Sequence, residues 1–262
     1  MPSKRTQPYP KPSRAAALPV LFLILFCFAG TAAARGDITR AELLQKLSKA
    51  QRGKPANLVE IRLRNADLHG VDFKGANLRG ADFKGSNLSG ADFSGSNLDL
   101  AVLSQSDLRR ADLSGASLYG TVLVRSDLSG ANLSGSHLVA NMSEANLDGA
   151  NLSGAMAGAN MSNQSMALIR TSLKYATLVG ADLKNIKLSF CDGRFANFVN
   201  ADLQGANLST CDLRQANFSG SDLKGANFSK AKLAGASFEG VKNRDAMVGL
   251  DSADGVKEAK FD

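Results

Sequence analysis

Residues 81–98 read ADFKGSNLSGADFSGSNL, nearly the same statement four times over. Phe83, Leu88, Phe93 and Leu98 fall five apart, which fits neither the 3.6-residue turn of a helix nor the two-residue alternation of a strand. With each large apolar residue labelled i, position i−2 is mostly Ala or Ser, i−1 Asp or Asn, and i+1 and i+2 polar or Gly. One small and one large apolar residue in every five can both face inward only if the chain turns a corner about every five residues. Four such corners close a square coil of about 20 residues. A lone coil cannot stand: its four large side chains contribute about 1.5–3 kcal/mol each on burial, against about 1–2 kcal/mol for every backbone that is fixed. Stacking coils about 4.8 Å apart adds lateral hydrogen bonds and buries the next layer, so the pattern specifies an all-β solenoid with capped ends.

The i positions run unbroken from Leu58 to Leu138, 17 units, and resume from Leu168 to Phe238, another 15, which sets the repeat region at 56–240. Between them lies an irregular segment, 139–168, holding Met142, Met156, Met161 and Met166, four of the six methionines. Thioethers filling a core where the register slips is one reading; a loop offering Met156, Met161 and Met166 to a partner is the other. Upstream, in the 35–55 segment, Thr39 followed by Glu42 is a capping box, and Ile38, Leu43, Leu44 and Leu47 make an apolar face. This predicts a short helix over about 40–50, capping one end of the rod. The non-repeating residues 241–262, with Ala246, Met247 and Leu250, suit the other end as a cap or tail.

Units such as Ala66-Asp67-Leu68-His69-Gly70, Ala76-Asn77-Leu78-Arg79-Gly80, Ala201-Asp202-Leu203-Gln204-Gly205 and Ala206-Asn207-Leu208-Ser209-Thr210 resemble the A(D/N)LXX motif of the pentapeptide-repeat family, over about 70% of the chain. The resemblance implies a right-handed quadrilateral β-helix. It implies little about function, because the family is defined by its scaffold.

Lys4, Arg5, Lys11 and Arg14 precede an apolar run from Leu18 to Ala29, which ends in Thr31-Ala32-Ala33-Ala34. That order of basic, apolar and small residues predicts a signal peptide over 1–34, cleaved near Ala34, and a periplasmic or secreted protein. The run is short for a membrane span of about 20 residues, so no stable span is expected after cleavage; an anchor, if uncleaved, is the alternative. The resemblance also leaves open the lumen of photosynthetic membranes. The formal net charge is +7, and losing the leader's four basic groups lowers it to +3.

Within the repeats, Cys191 and Cys211 both occupy i−2, 20 residues apart and hence in adjacent coils. They read as two reduced core thiols; a disulfide is permitted outside the cytoplasm, although a 4.8 Å coil spacing is wide for a bridge. Gly193 takes a large core position, where Phe198 is the expected filler of the void. Phe190 and Phe195, beside it, stand at i+2, normally polar and outward. Two exposed rings would make an interaction patch; one ring folded inward over Gly193 is the alternative. Asp72, Asp92 and Asp112, and Asp182, Asp202 and Asp222, stack at 20-residue spacing and should repel unless backbone N–H groups and interspersed lysines compensate; a divalent cation between coils is the alternative. Asn57, Asn77 and Asn97 form a ladder able to hydrogen-bond from coil to coil.

Three function classes compare as follows. An enzyme would need a nucleophile with its base, a phosphate-binding loop or a metal set, and the sequence offers none, with two scattered His. No catalytic residue, cofactor or metal is expected. A DNA-mimic modulator of a topoisomerase, known in some relatives, needs an acidic rod, whereas residues 56–240 carry 17 basic and 17 acidic groups. An exported binding or structural scaffold acting through a protein partner fits the leader and the rod, with no nucleic acid involved and a homodimer through the terminal caps as one arrangement.

Overall fold

The computed structural model describes residues 38–50, 54–158 and 170–262, all within one compact unit, Arg35–Asp262. The leader, and with it the signal-peptide reading, lies outside the described residues, as do Met161, Met166 and Leu168.

Helix α1 spans Arg40–Ser48. The Thr39 hydroxyl accepts from the Glu42 N–H, and the Glu42 carboxylate accepts from the Thr39 N–H at 2.7 Å. Leu43 is fully buried, while Ile38 and Leu47 pack partly buried against the same core. Leu44 does not join that face; it is exposed.

From Asn57 onward the solenoid is built by one rule. Each i−1 residue forms a parallel bridge with the residue 20 further on, giving four ladders that begin at Asn57, Arg62, Asp67 and Asp72, after which the four faces are named here. The N–H of Leu58 donates to the carbonyl of Asn77 (2.8 Å), and the N–H of Asn77 donates back to Ala56 (2.9 Å). At each corner the next i−2 N–H bonds to the preceding i carbonyl, as in Ala76 to Phe73 (2.9 Å). The i+2 residue there is left-handed, at φ 64° for Gly75 and 57° for Glu60. That conformation costs a side-chain-bearing residue energy and explains why Gly recurs at this phase.

Inside, Leu and Phe at i fill the axis. Phe198 stacks on Phe218 (4.8 Å between centroids) and Phe218 on Phe238 (5.0 Å), in the column that begins with buried Leu178. Phe228 packs edge-on against Phe218 and Phe238. In the first lobe Phe73 stacks on Phe93 at 4.7 Å, with Phe83 edge-on to both.

The irregular segment resolves into two separate events around a regular stretch. The ladders step by 19 from Val122 to Asn141, because the corner between Leu138 and Met142 has lost one residue; Val139 and Ala140 are both buried there. Residues 141–157 then keep the five-residue beat, with Met142, Leu147, Leu152 and Ala157 in the core. The next step is 31, as from Asn151 to Asp182, so an eleven-residue insertion leaves after residue 158 and returns before Thr171. Met142 fills core as a thioether should, whereas Met156 is 48% exposed on the Asn57 face.

Residues 241–262 are neither a tail nor irregular. They form one more coil with a period of six: Lys242, Val248, Asp254 and Lys260 bridge Asp222, Asn227, Lys232 and Ser237. The extra residue at each corner is accommodated by a 3-10 turn, at Arg244–Ala246, Leu250–Ser252 and Val256–Glu258. Left-handed Asn243, Gly249 and Gly255 precede the turns. At Gly249 a side chain is excluded twice, by φ +79° and by a Cβ position 2.7 Å from the backbone N of Ser229. Met247, Leu250, Ala253, Val256, Ala259 and Phe261 lie partly buried against the core, and Phe261 extends the aromatic column by stacking on Phe238 at 4.9 Å.

Candidate functional site

The i−1 residues shape the faces before they offer chemistry. Oδ1 of Asp92 accepts from the N–H of Ser94 (2.8 Å), Oδ1 of Asp112 from Ser114 (2.9 Å) and Oδ1 of Asp182 from Lys184 (3.0 Å). Each carboxylate thus closes its own turn, and Lys184 reaches both Asp182 (3.5 Å) and Asp202 (2.8 Å). Backbone donors and a lysine compensate the Asp ladder. Among the described residues no group of three or more His, Cys, Asp or Glu is placed to hold a metal ion. The Asn ladder is realised in part: Asn77 donates to Asn57 at 3.4 Å, and mixed pairs such as Asn87 to Asp67 (3.2 Å) carry the same bond elsewhere.

Charge is sorted by face, although 56–240 sums to zero. On the Arg62 face the bridging residues and those two positions on supply Arg62, Arg64, Lys84, Lys174, Arg194, Arg214 and Lys232 against Asp82, Asp192, Asp212 and Asp254. On the Asp67 face Arg109 and Lys260 stand against Asp67, Asp107, Asp127, Asp148, Glu239 and Asp262; on the Asp72 face Lys74, Lys184, Lys224, Lys242 and Arg244 meet six aspartates. Asp192 is the most enclosed of these acids, held by Arg194 through Nε (2.8 Å) and Nη2 (2.7 Å). Arg194 holds its carboxyl below the ordinary range although burial pushes the other way. Arg214 does the same for Asp212. At Asp82 burial is the largest influence, and Arg64 and the Lys84 N–H together outweigh it, again lowering the carboxyl.

Phe190 and Phe195 both keep the i+2 register, with φ 63° and 60°. Phe195 is 45% exposed and stacks on Tyr175, itself 50% exposed, with centroids 4.8 Å apart; Lys174 lies over Tyr175 at 5.0 Å. Phe190 is half-buried at the preceding corner, so the two rings are not equivalent. The filler of Gly193 is Leu213 of the next coil, whose Cδ2 lies 2.8 Å from where a Cβ would stand. Phe198 instead keeps to the aromatic column.

Sequence reasoning singled out Phe195 but not Tyr175, nor the exposed Leu100, although all three break the i+2 rule. Leu100 covers Gly120 of the next coil, beside exposed Tyr119. Around that corner Val102, Val122 and Val124 point outward, half-buried, where other units carry polar residues. Met156 belongs to the same side of the rod as Tyr119, through His137, which faces Tyr119 at 6.5 Å and bridges Met156. The patch expected from Phe190, Phe195 and three methionines is thus two separate clusters, with Met161 and Met166 outside the described residues.

Cys191 and Cys211 are buried neighbours in adjacent coils, with Cα atoms 4.6 Å apart and sulfurs in disulfide contact. Sγ of Cys211 also lies 2.7 Å from the Leu188 carbonyl and 3.2 Å from the Cys191 N–H. These are the positions that the Ser86 hydroxyl occupies between Leu63 and Ala66. A thiol can donate to Leu188; a disulfide sulfur has no proton to give. Among the described residues no helix is long and apolar enough to cross a membrane.

The fold is a repeat solenoid whose coils are stacked five-residue units. The chain belongs to the pentapeptide-repeat proteins: the family model described as "Pentapeptide repeats (8 copies)" matches residues 56–95, 96–135 and 123–166, and a pentapeptide repeat region matches 164–238. Among solved structures it is similar to HetL of the cyanobacterium Nostoc sp. strain PCC 7120, a pentapeptide repeat protein involved in heterocyst differentiation regulation. That match is 30% identical, covers 82% of this chain and 96% of HetL, and has a TM-score of 0.39. A trypsin-treated form of QnrB1, a plasmid-mediated fluoroquinolone resistance protein, is 22% identical over 79% of this chain and 82% of its own, with a TM-score of 0.43. AT2G44920 of the Arabidopsis thaliana thylakoid lumen is 32% identical over 48% of this chain and 63% of its own, with a TM-score of 0.22. None of the curated proteins compared matches the chain.

Proposed function

We propose that this protein is an exported, non-catalytic scaffold, its coils wound to the right, that works by binding another protein along the side of the rod. The observation that carries the reading is the Tyr175–Phe195 stack: two large rings, about half exposed, at corner positions the repeat ordinarily gives to Gly or polar residues. Aromatic side chains left in water are costly unless something covers them, and they are the usual anchors of protein interfaces. The order of basic, apolar and small residues in 1–34 supports export to the periplasm or beyond. The test is Tyr175→Ser with Phe195→Ser, read by partner capture from the native compartment and by melting. Lost capture with an unchanged melt supports the reading; a several-kcal/mol loss of stability makes the rings structural.

A second reading is favoured by one observation, the acidity of the adjoining Asp67 and Asp72 faces, which suits a DNA mimic. Inhibition of topoisomerase supercoiling by the purified repeat region tests it.

A further inference from the structure

We propose that the Arg62 face is the docking surface for a short extended segment of a partner protein in which apolar residues are flanked on both sides by acidic ones. The proposal rests on the interaction reading above and names the chemistry of the partner.

Two independent sortings coincide on this face. The first is charge: it carries seven basic groups against four acidic ones, while the Asp67 and Asp72 faces are both net acidic. No ion pair within 4.0 Å holds Arg62, Lys84 or Lys232 among the described residues, although Arg62 adds to the positive charge that lowers the Asp82 carboxyl and Lys232 bridges Asp254. They can therefore still meet an incoming carboxylate. The second is polarity: Val102 and Val122, bridged neighbours on the same ladder, turn two isopropyl groups outward, with Val124 beside them. Leu100 bounds the face at one corner, and Tyr175 and Phe195 bound it at the other.

The order along the rod sets the pattern of the occupant. Cations come first, at Arg62 and Lys84; apolar groups follow at Val102 and Val122; polar Asn141 and Ser172 come next; a cation returns at Lys174, while Arg194 beyond it is already held by Asp192. From Lys84 to Lys174 is four coil steps, about 19 Å at the usual inter-strand spacing, which an extended chain of about six residues spans. A nucleic acid strand would set its phosphates over the valines, which offer no neutralising charge. A segment with acids at its ends and Leu or Val at its centre matches the stretch from Arg62 to Lys174.

The probes are two labelled synthetic peptides of twelve residues, one with Asp and Glu flanking a Leu-Val centre, the other with Lys and Arg in their place. They are titrated against the full chain by fluorescence anisotropy at low and high salt. The acidic peptide is expected to bind and the basic one not, with affinity falling as salt rises. Lys84→Glu with Lys174→Glu, and separately Val102→Ser with Val122→Ser, should each weaken binding at least about tenfold while the melting curve stays in place. Equal binding of both peptides, no binding, or indifference to both double variants overturns the proposal. So does retention of the chain on phosphatidylglycerol vesicles through the same residues, which would reassign the face to a lipid surface. Should Tyr175→Ser with Phe195→Ser abolish partner capture while Lys84→Glu with Lys174→Glu leaves the peptide bound, the scaffold reading stands and this assignment falls.

Discussion

The guanidinium of Arg244 lies over the ring of Phe261, 4.3 Å from its centroid, at the end of the aromatic column that runs through Phe198, Phe218 and Phe238. A stacked column in a solenoid must stop somewhere, and its last ring face would meet water. A cation over that face is attracted by the ring quadrupole while remaining hydrated on its other side. Arg244→Ala should cost about 0.5–1 kcal/mol, and Phe261→Ala, which also uncovers Phe238, about 1–3 kcal/mol. Denaturant melts of the two variants check this; if Phe261→Ala is silent, the six-residue coil is not part of the folded rod.

Phe218 sits between two stacked neighbours and is fully buried. Phe218→Ala should therefore cost about 3–5 kcal/mol. A cost below about 1 kcal/mol would contradict the register of the second lobe.

The column was legible because Phe198, Phe218 and Phe238 share one phase of the five-residue beat, and burial follows phase in a coil with four equal sides. The continuation to Phe261 was not, because three six-residue steps shift the phase before it is reached. Its trace in the sequence was Asn243, Gly249 and Gly255, left-handed residues spaced by six rather than five. Likewise a net charge of zero hid the sorting by face, since charge becomes visible only when residues 20 apart are read as neighbours. The Tyr175–Phe195 stack, by contrast, was as legible as the column, since the two share the i+2 phase 20 residues apart.

Asp and Asn alternate at i−1 because either supplies the oxygen that closes the turn. Asp92→Asn keeps the acceptor for Ser94 and removes one charge from the Asp72–Asp92–Asp112 ladder, so it should be neutral or slightly stabilising. Asp92→Ala loses the bond and should cost about 0.5–1.5 kcal/mol. Thermal melts at low salt should separate the two; equal losses would mean that the charge, not the turn, is what the position needs.

Cys191 and Cys211 are the two cysteines of the repeat region. In an oxidising compartment they are expected to form a disulfide, and reduction should then lower stability by about 3 kcal/mol for a loop of this length. Cys211→Ser should behave like the reduced protein, because Ser repeats the bond that Ser86 makes to Leu63. Alkylation of both thiols in protein freshly isolated from its native compartment and denatured would show that the pair stays reduced.

Acid should loosen the rod through Asp192 before it reaches the hydrophobic column. Arg194 holds the Asp192 carboxyl below its ordinary value against the opposing effect of burial. The folded state therefore binds a proton less readily than the unfolded chain, whose carboxylate titrates near pH 3.9. A depressed folded value means that the contribution is fully present above the unfolded pKa and is lost as pH falls through the folded one. Asp192→Asn retains the shape but not the charge-assisted pair, and at pH 7 should cost about 1.5–3 kcal/mol. At a pH low enough to protonate Asp192 in the wild-type protein the pair is gone from both, so the two melting curves should converge. Asp82 and Asp212, also lowered, act in the same direction, so the whole Arg62 face should weaken together on acidification. Urea titrations of wild type and variant from pH 7 down to about 3 measure the difference directly. A gap that stays constant over that range would mean that the Asp192–Arg194 pair adds nothing to the fold, and that the variant's loss comes from packing alone.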